Sequence, residues 1–217
     1  MDNTHKYGFR WSVEANGRGC PHPLRFHVAT GQDDVDDGAV SISLRPGDPV
    51  KMVSTGGVIL SLTTEAVFGI VAGIAPYWDG TRMVFGSKLP NQTAWGTVEE
   101  RRSFVYVIPA HWGLWEIDVD DKVTATTLAA YRALIHVNTE HTVPGGTATG
   151  VAPTDSADPY LDISLHAVTA TLGWRIMDVS QTLDNIDYSG SYVKLIVACN
   201  ECQYPGMPAS GSIVAGL

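Results

Sequence analysis

The chain is poor in charge, and the charge it has is of the wrong sign for nucleic acid. Only 17% of its 217 residues are Asp, Glu, Lys or Arg, and the formal net charge is −9. Phosphate binding needs a basic face, yet the sole adjacent basic pair, Arg101-Arg102, follows Glu99-Glu100. A nucleic-acid partner and an anionic membrane surface are both disfavoured by that balance. No run of about 18 apolar residues is present, so no membrane-spanning helix is expected. The opening Met1-Asp2-Asn3-Thr4-His5-Lys6 is polar and lacks the apolar centre of an export signal. Three cysteines do not make a disulfide framework, and synthesis in a reducing cytoplasm is expected.

Catalytic signatures are missing as well. There is no Gly-x-Ser-x-Gly elbow, no phosphate-binding Gly-x-x-x-x-Gly-Lys-Ser/Thr loop, no dinucleotide Gly-x-Gly-x-x-Gly before a helix, and no His-Glu-x-x-His. None of the seven histidines stands beside a nucleophile in a known arrangement. Glu140-His141 falls in a segment read as a loop edge and is expected to be solvated. Asp33 to Asp37, and Asp118 with Asp120 and Asp121, offer oxygens but lack the glycine bend and distant bidentate carboxylate of a calcium loop. They read as solvated turns. No catalytic residue and no cofactor are assigned.

What is present is a β pattern. Hydrophobic residues make up 44% of the chain, enough to fill a core. Short apolar runs recur between turns: Val40 to Leu44, Val50 to Ser54, Val58 to Leu62, Phe104 to Ile108, Trp174 to Val179 and Val193 to Cys199. Trp115, Ile117 and Val119 alternate with Glu116, Asp118 and Asp120, as Leu161, Ile163 and Leu165 do with Asp162, Ser164 and His166. Each alternation predicts one dry and one wet face. Val67 to Ile74 is apolar on both faces and broken by glycine, which suits a buried, bent strand. One short helix is expected within Thr124 to Leu134, with Ala133 to Val137 open to a strand reading. About ten short strands without a βαβ alternation predict a mainly β fold, an antiparallel barrel or sandwich.

Residues 1–38 are punctuated by Gly and Pro and read as an extended arm, as does the tail 204–217. The core is assigned to 39–203, with long loops near 76–97 and 139–159. Cys199-Asn200-Glu201-Cys202 has the spacing of a zinc knuckle, and Cys20 and His22 would complete a tetrahedral set. With a single Cys-x-x-Cys, the preferred reading instead points Cys199 into the core and leaves Cys202 a bystander. Tyr7, Phe9, Trp11, Tyr77, Trp78, Trp95 and Trp112 are candidate interface anchors, because loop aromatics are either core plugs or contacts for a partner.

Several segments, in order, resemble a family of tailed-phage head decoration, or capsid cement, proteins. They are Tyr7-Gly8-Phe9-Arg10, Pro46-Gly47-Asp48-Pro49-Val50, Phe68 to Ile74, Arg102 to Pro109 with Leu114 to Ile117, and Leu172 to Ile176 through Tyr192 to Val197. Trp11 stands where the family's opening carries proline. The resemblance implies a virion structural protein, made in the host cytoplasm, that binds the outer surface of the major capsid protein. It would join other copies of itself as a trimer or dimer, without enzymatic activity. Two other classes compete with it. One is a receptor- or glycan-binding phage appendage, with Trp78 and Trp95 stacking on sugars. The other is a small hydrolase using scattered Asp and His residues.

Overall fold

Residues with alternating polarity form strands here wherever a second strand covers their apolar side. The computed structural model of the chain describes residues 8–14, 21–29, 44–53, 57–78, 82–89, 103–119, 125–143, 159–168, 171–182, 185, 187–189 and 192–203. Among these lie thirteen strands: β1 (Arg10–Glu14), β2 (Leu24–His27), β3 (Pro49–Met52), β4 (Val58–Leu60), β5 (Gly69–Ile74), β6 (Tyr77–Trp78), β7 (Met83–Val84), β8 (Phe104–Pro109), β9 (Gly113–Asp118), β10 (Asn138–Thr142), β11 (Tyr160–Ala167), β12 (Trp174–Val179) and β13 (Lys194–Cys199). The fold is mainly β and consistent with a sandwich. One six-stranded sheet runs β1-β9-β13-β12-β10-β11, a five-stranded sheet runs β2-β8-β5-β3-β4, and β6 and β7 form a small hairpin. The paired strands of all three are antiparallel.

The larger sheet bends until its two ends meet at β9. That strand pairs with β1 along Gly113 to Glu116, and just beyond its end Val119 forms a bridge with Leu161 of β11. Trp115, Ile117, Leu161, Ile163, Trp174, Ile176, Leu195 and Val197 fill the interior, each at 2% exposure or less. Val50, Val58, Phe68, Val71, Val105 and Val107 form a second cluster on the smaller sheet. β5 is the predicted bent strand, its register on β8 shifting between Val71 and Gly73, but its burial ends at Val71 and Ala72 is exposed. Glycine is obligatory at position 69. A Cβ there would sit 2.5 Å from Val107 Cγ1 and 2.6 Å from the Ile108 carbonyl oxygen.

The one α-helix among the described residues, α1 (Leu128–Ala133), starts where Thr127 Oγ1 accepts the Ala130 amide at 3.2 Å. This lies inside the predicted span and supplies an N-cap. The strand reading of Ala133 to Val137 is corrected. The chain turns there, His136 takes φ = 71°, and its amide donates to the Ile176 carbonyl at 2.7 Å.

Four further expectations change. The proposed arm 1–38 supplies β1 to the larger sheet and β2 to the smaller one, so its described parts belong to the body. Short spacing between glycines hid them, because each strand is only four or five residues long. The loop near 139–159 begins instead as strand: Asn138 to His141 are buried in β10. Asp118 is not on a wet face. It is 1% exposed and lies opposite Lys194, itself buried, where opposite charges favour the ladder. At β11 the alternation stops early, since a bulge lifts Leu165 outward to 49% exposure. The 76–97 stretch holds the β6–β7 hairpin. Its part from 90 on, the rest of the 139–159 loop from 144 to 158, the Asp33 to Asp37 cluster, Asp120, Asp121 and the tail 204–217 lie outside the described residues.

Candidate functional site

Two features bring chemistry-bearing or partner-binding residues together. The first begins with the Pro46-Gly47-Asp48 turn. Asp48 Oδ2 accepts the Arg45 amide at 2.6 Å, Asp48 returns its own amide to the Arg45 carbonyl at 3.1 Å, and Gly47 takes φ = 97°. Against this turn lies Gly8-Phe9. Phe9 donates its amide to the Gly47 carbonyl at 3.0 Å, and Gly47 donates to Val71 at 2.8 Å. Gly8 has φ = 62°, and a Cβ on it would meet the Gly47 oxygen at 2.9 Å. Only glycine fits both conditions. Between this junction, β5 and β9 opens a groove of about 310 Å³, lined chiefly by Trp11, Pro46, Ile70, Ala72, Ile108 and Trp115, with Arg10 at its side. It is an apolar groove with one cation, suited to an apolar side chain or chain segment rather than to acid–base work.

The second feature lies between the sheets. His141, fully buried, holds its Nε2 3.1 Å from the Ser61 carbonyl oxygen, and Trp174 Nε1 donates to its Nδ1 at 3.3 Å. A carbonyl only accepts and an indole N–H only donates, so the imidazole is neutral with its proton on Nε2. Burial drives its pKa down to about 4, although the bond to Ser61 works the other way. Glu140, 2% exposed, accepts the Gly173 amide at 3.2 Å through Oε1, while Oε2 is buried without a hydrogen-bond partner. Burial pushes its pKa up to about 7. The neighbouring Glu201 charge adds to that rise, and the amides of Gly173 and Thr64 oppose it. The expectation of a solvated Glu140-His141 is therefore corrected. The β-branched residues around the pair, Val137, Thr139, Thr142 and Val143, carried the strand signal that the nearby Gly- and Pro-rich segment obscured.

The aromatic candidates divide. Phe9 is no exposed anchor: it is 3% exposed, with its ring centroid 4.3 Å from Trp174. Tyr77 is 8% exposed and packs in the smaller sheet's core. Trp112 is partly buried and packs on the larger cluster. Trp11 meets Trp115 edge to face at 5.3 Å and keeps a surface in the groove. Tyr7, Trp95 and the Trp78 side chain lie outside the described residues.

The zinc set is the less favoured reading of the cysteines. Cys199 and Cys202 are joined as a disulfide, so neither offers a thiolate to zinc. Nor is Cys202 a bystander, since it packs on the core cluster. His22 is exposed, and Cys20 lies outside the described residues. Among the described residues no group of three or more His, Cys, Asp or Glu is placed to hold a metal ion. No helix among them is long and apolar enough to cross a membrane.

No family model matches the chain, and neither a curated protein nor a solved structure does. The two antiparallel sheets define a mainly β protein, and function must be argued from the two features above.

Proposed function

We propose that the protein is a structural subunit that binds other proteins, and specifically a decoration or cement subunit on the head of a tailed phage. One observation carries the reading. The Phe9-Arg10, Pro46-Gly47 and Ile70-Val71-Ala72 segments, which belong to stretches that resemble separate motifs of that family, come together in space and line one apolar groove. Sequence order alone did not require them to touch. Apolar grooves flanked by aromatics are the kind of surface that takes an anchor from a partner protein. Of the three ionisable groups with shifted titration, Glu140 and His141 are enclosed between the sheets and serve the fold, and His111, lowered by burial, packs edge to face beside Trp112.

In this reading the two-sheet body supplies stiffness, and a capsid protein occupies the groove while neighbouring copies close around a symmetry axis. Cryo-electron microscopy of purified particles, with mass spectrometry of their proteins, tests it. The expected result is many copies on the head shell in a symmetric arrangement. Density confined to the tail would favour a receptor-binding appendage, and absence from particles would defeat both.

A further inference from the structure

The segment just beyond β13 fastens the two sheets to each other. The amides of Asn200 and Glu201 both donate to the Gly173 carbonyl, at 2.8 and 3.2 Å, and Asn200 Nδ2 donates to Leu172 at 2.7 Å. These bonds hold the lead-in to β12 in the larger sheet. On the other side, the Val67 amide donates to the Glu201 carbonyl at 3.3 Å, and the Gln203 amide donates to Val67 at 2.9 Å. Met52 of β3 donates its amide to Gln203 Oε1 at 2.6 Å. Residues 199–203 are thus a clasp with one end on each sheet.

Glu140 sits under that clasp. Its Oε1 is tied to the same Gly173 whose carbonyl the clasp holds, and its Oε2 is buried without a partner. A Cβ on Gly173 would come within 3.2 Å of that oxygen, so the carboxyl has little spare room. On β12, which pairs directly with β10, the charged residue opposite Asn138 is Arg175, and it is exposed. Glu201 faces Glu140 from the clasp. On β11 its register partner is Asp162, whose carboxylate accepts from both the amide and the hydroxyl of Ser164. Along β10 the neighbour is His141, neutral between Trp174 and Ser61. From the turn that carries Thr64 comes Glu65, bound to Lys51 at 2.7 Å and to the Leu62 amide at 2.6 Å. Lys51 is held by Glu65 and Arg175 of β12 is exposed; the one charged group that acts on Glu140 is the Glu201 carboxylate.

We infer that residues 199–203 form a proton-operated clasp, closed over Glu140 when that carboxyl is protonated and loosened when it ionises beneath Glu201. The direction follows from linkage. With the clasp shut, Glu140 titrates near 7; with it open, the carboxyl regains water and an ordinary value near 4.5. Opening is therefore hardest in acid, becomes easier as pH rises from about 4.5 to about 7, and levels off above that. The inference concerns the joint between the sheets and stands apart from the capsid reading.

Hydrogen exchange of the Asn200, Glu201 and Gln203 amides at pH 5 and pH 7.5, corrected for intrinsic rates, tests the clasp on the full chain. Protection in the native protein is expected to fall tenfold or more between the two conditions. Glu140→Gln should abolish that fall and stay protected at pH 7.5, while Glu201→Gln should restore several-fold protection at pH 7.5. Equal pH dependence in native protein and Glu140→Gln would overturn the inference. If Glu140→Gln does not fold, carboxyl-carbon NMR of the native protein decides: titration near 7 upholds the clasp, and titration below 5 overturns it.

Discussion

Trp174 donates its indole N–H to His141 Nδ1 at 3.3 Å, and that imidazole in turn reaches the Ser61 carbonyl at 3.1 Å. A side chain of the larger sheet is thereby wired to backbone leading out of the smaller one. Replacing His141 with Ala removes both bonds, leaves an indole N–H and a carbonyl buried without partners, and opens a cavity. Each orphaned group costs about 1–3 kcal/mol, so a total loss of about 3 kcal/mol or more is expected. Urea unfolding followed by tryptophan fluorescence measures it.

Glu140 and His141 are adjacent, and their titrations pull stability in opposite directions. The folded protein holds a proton on Glu140 that the unfolded chain releases between pH 4.5 and about 7, so this contribution is full in acid and is lost as pH rises. The folded protein keeps His141 neutral while the unfolded chain takes up a proton below 6.5. That contribution is full above 6.5 and is lost as pH falls towards about 4, by roughly 3 kcal/mol in all. Over pH 4.5 to 6.5 the two slopes offset each other. Glu140→Gln should unmask the histidine: its stability will drop steadily on acidification from pH 6.5 to 4, where native protein stays flatter. Unfolding midpoints taken across that range give the comparison.

Gly69→Ala is expected to destabilise by about 2–3 kcal/mol, because the new methyl would lie within 2.6 Å of both a Val107 methyl and a backbone oxygen. The backbone there cannot yield without shifting β5 on β8. By contrast, Gly73→Ala, whose nearest neighbour is a Tyr106 ring carbon at 3.7 Å, should change stability by less than about 1 kcal/mol. Thermal denaturation of the two variants side by side checks the contrast.

Much of the fold could be read from spacing, and the failures share a cause. Trp174, Ile176, Leu195 and Val197 were legible because period-two alternation survives wherever a strand has one buried side. Asp118 and Glu140 were misread because composition assigns charge to water, while burial here is decided by segments brought in from elsewhere: β13 lays Lys194 opposite Asp118, and Gly173, at the lead-in to β12, bonds the Glu140 carboxyl. Phe9 reads locally as a loop aromatic among glycines. Its place against Trp174 depends on a partner more than 160 positions away, which no local pattern carries. The cysteine spacing was visible, but spacing alone does not tell a metal pair from two sulfurs bonded to each other.

Ala72→Arg probes the groove without touching the core, since Ala72 is exposed at the groove's lining. It should leave the unfolding midpoint within about 0.5 kcal/mol of native. On the proposed capsid reading, occupancy on phage particles lacking their own copy, measured by gel densitometry after mixing, should fall at least tenfold. Unchanged occupancy would show that the shell does not use this groove.

The strand order has a further consequence for how the molecule is made. β13, the last of the described strands in chain order, is the strip between β9 and β12. Until residue 199 emerges, the larger sheet exists only as two rafts, β1 with β9 and β12 with β10 and β11, each with an unzipped flank. Completion must wait for β13, and a translation product stopped short of residue 194 would leave both flanks open to pairing with a neighbouring chain.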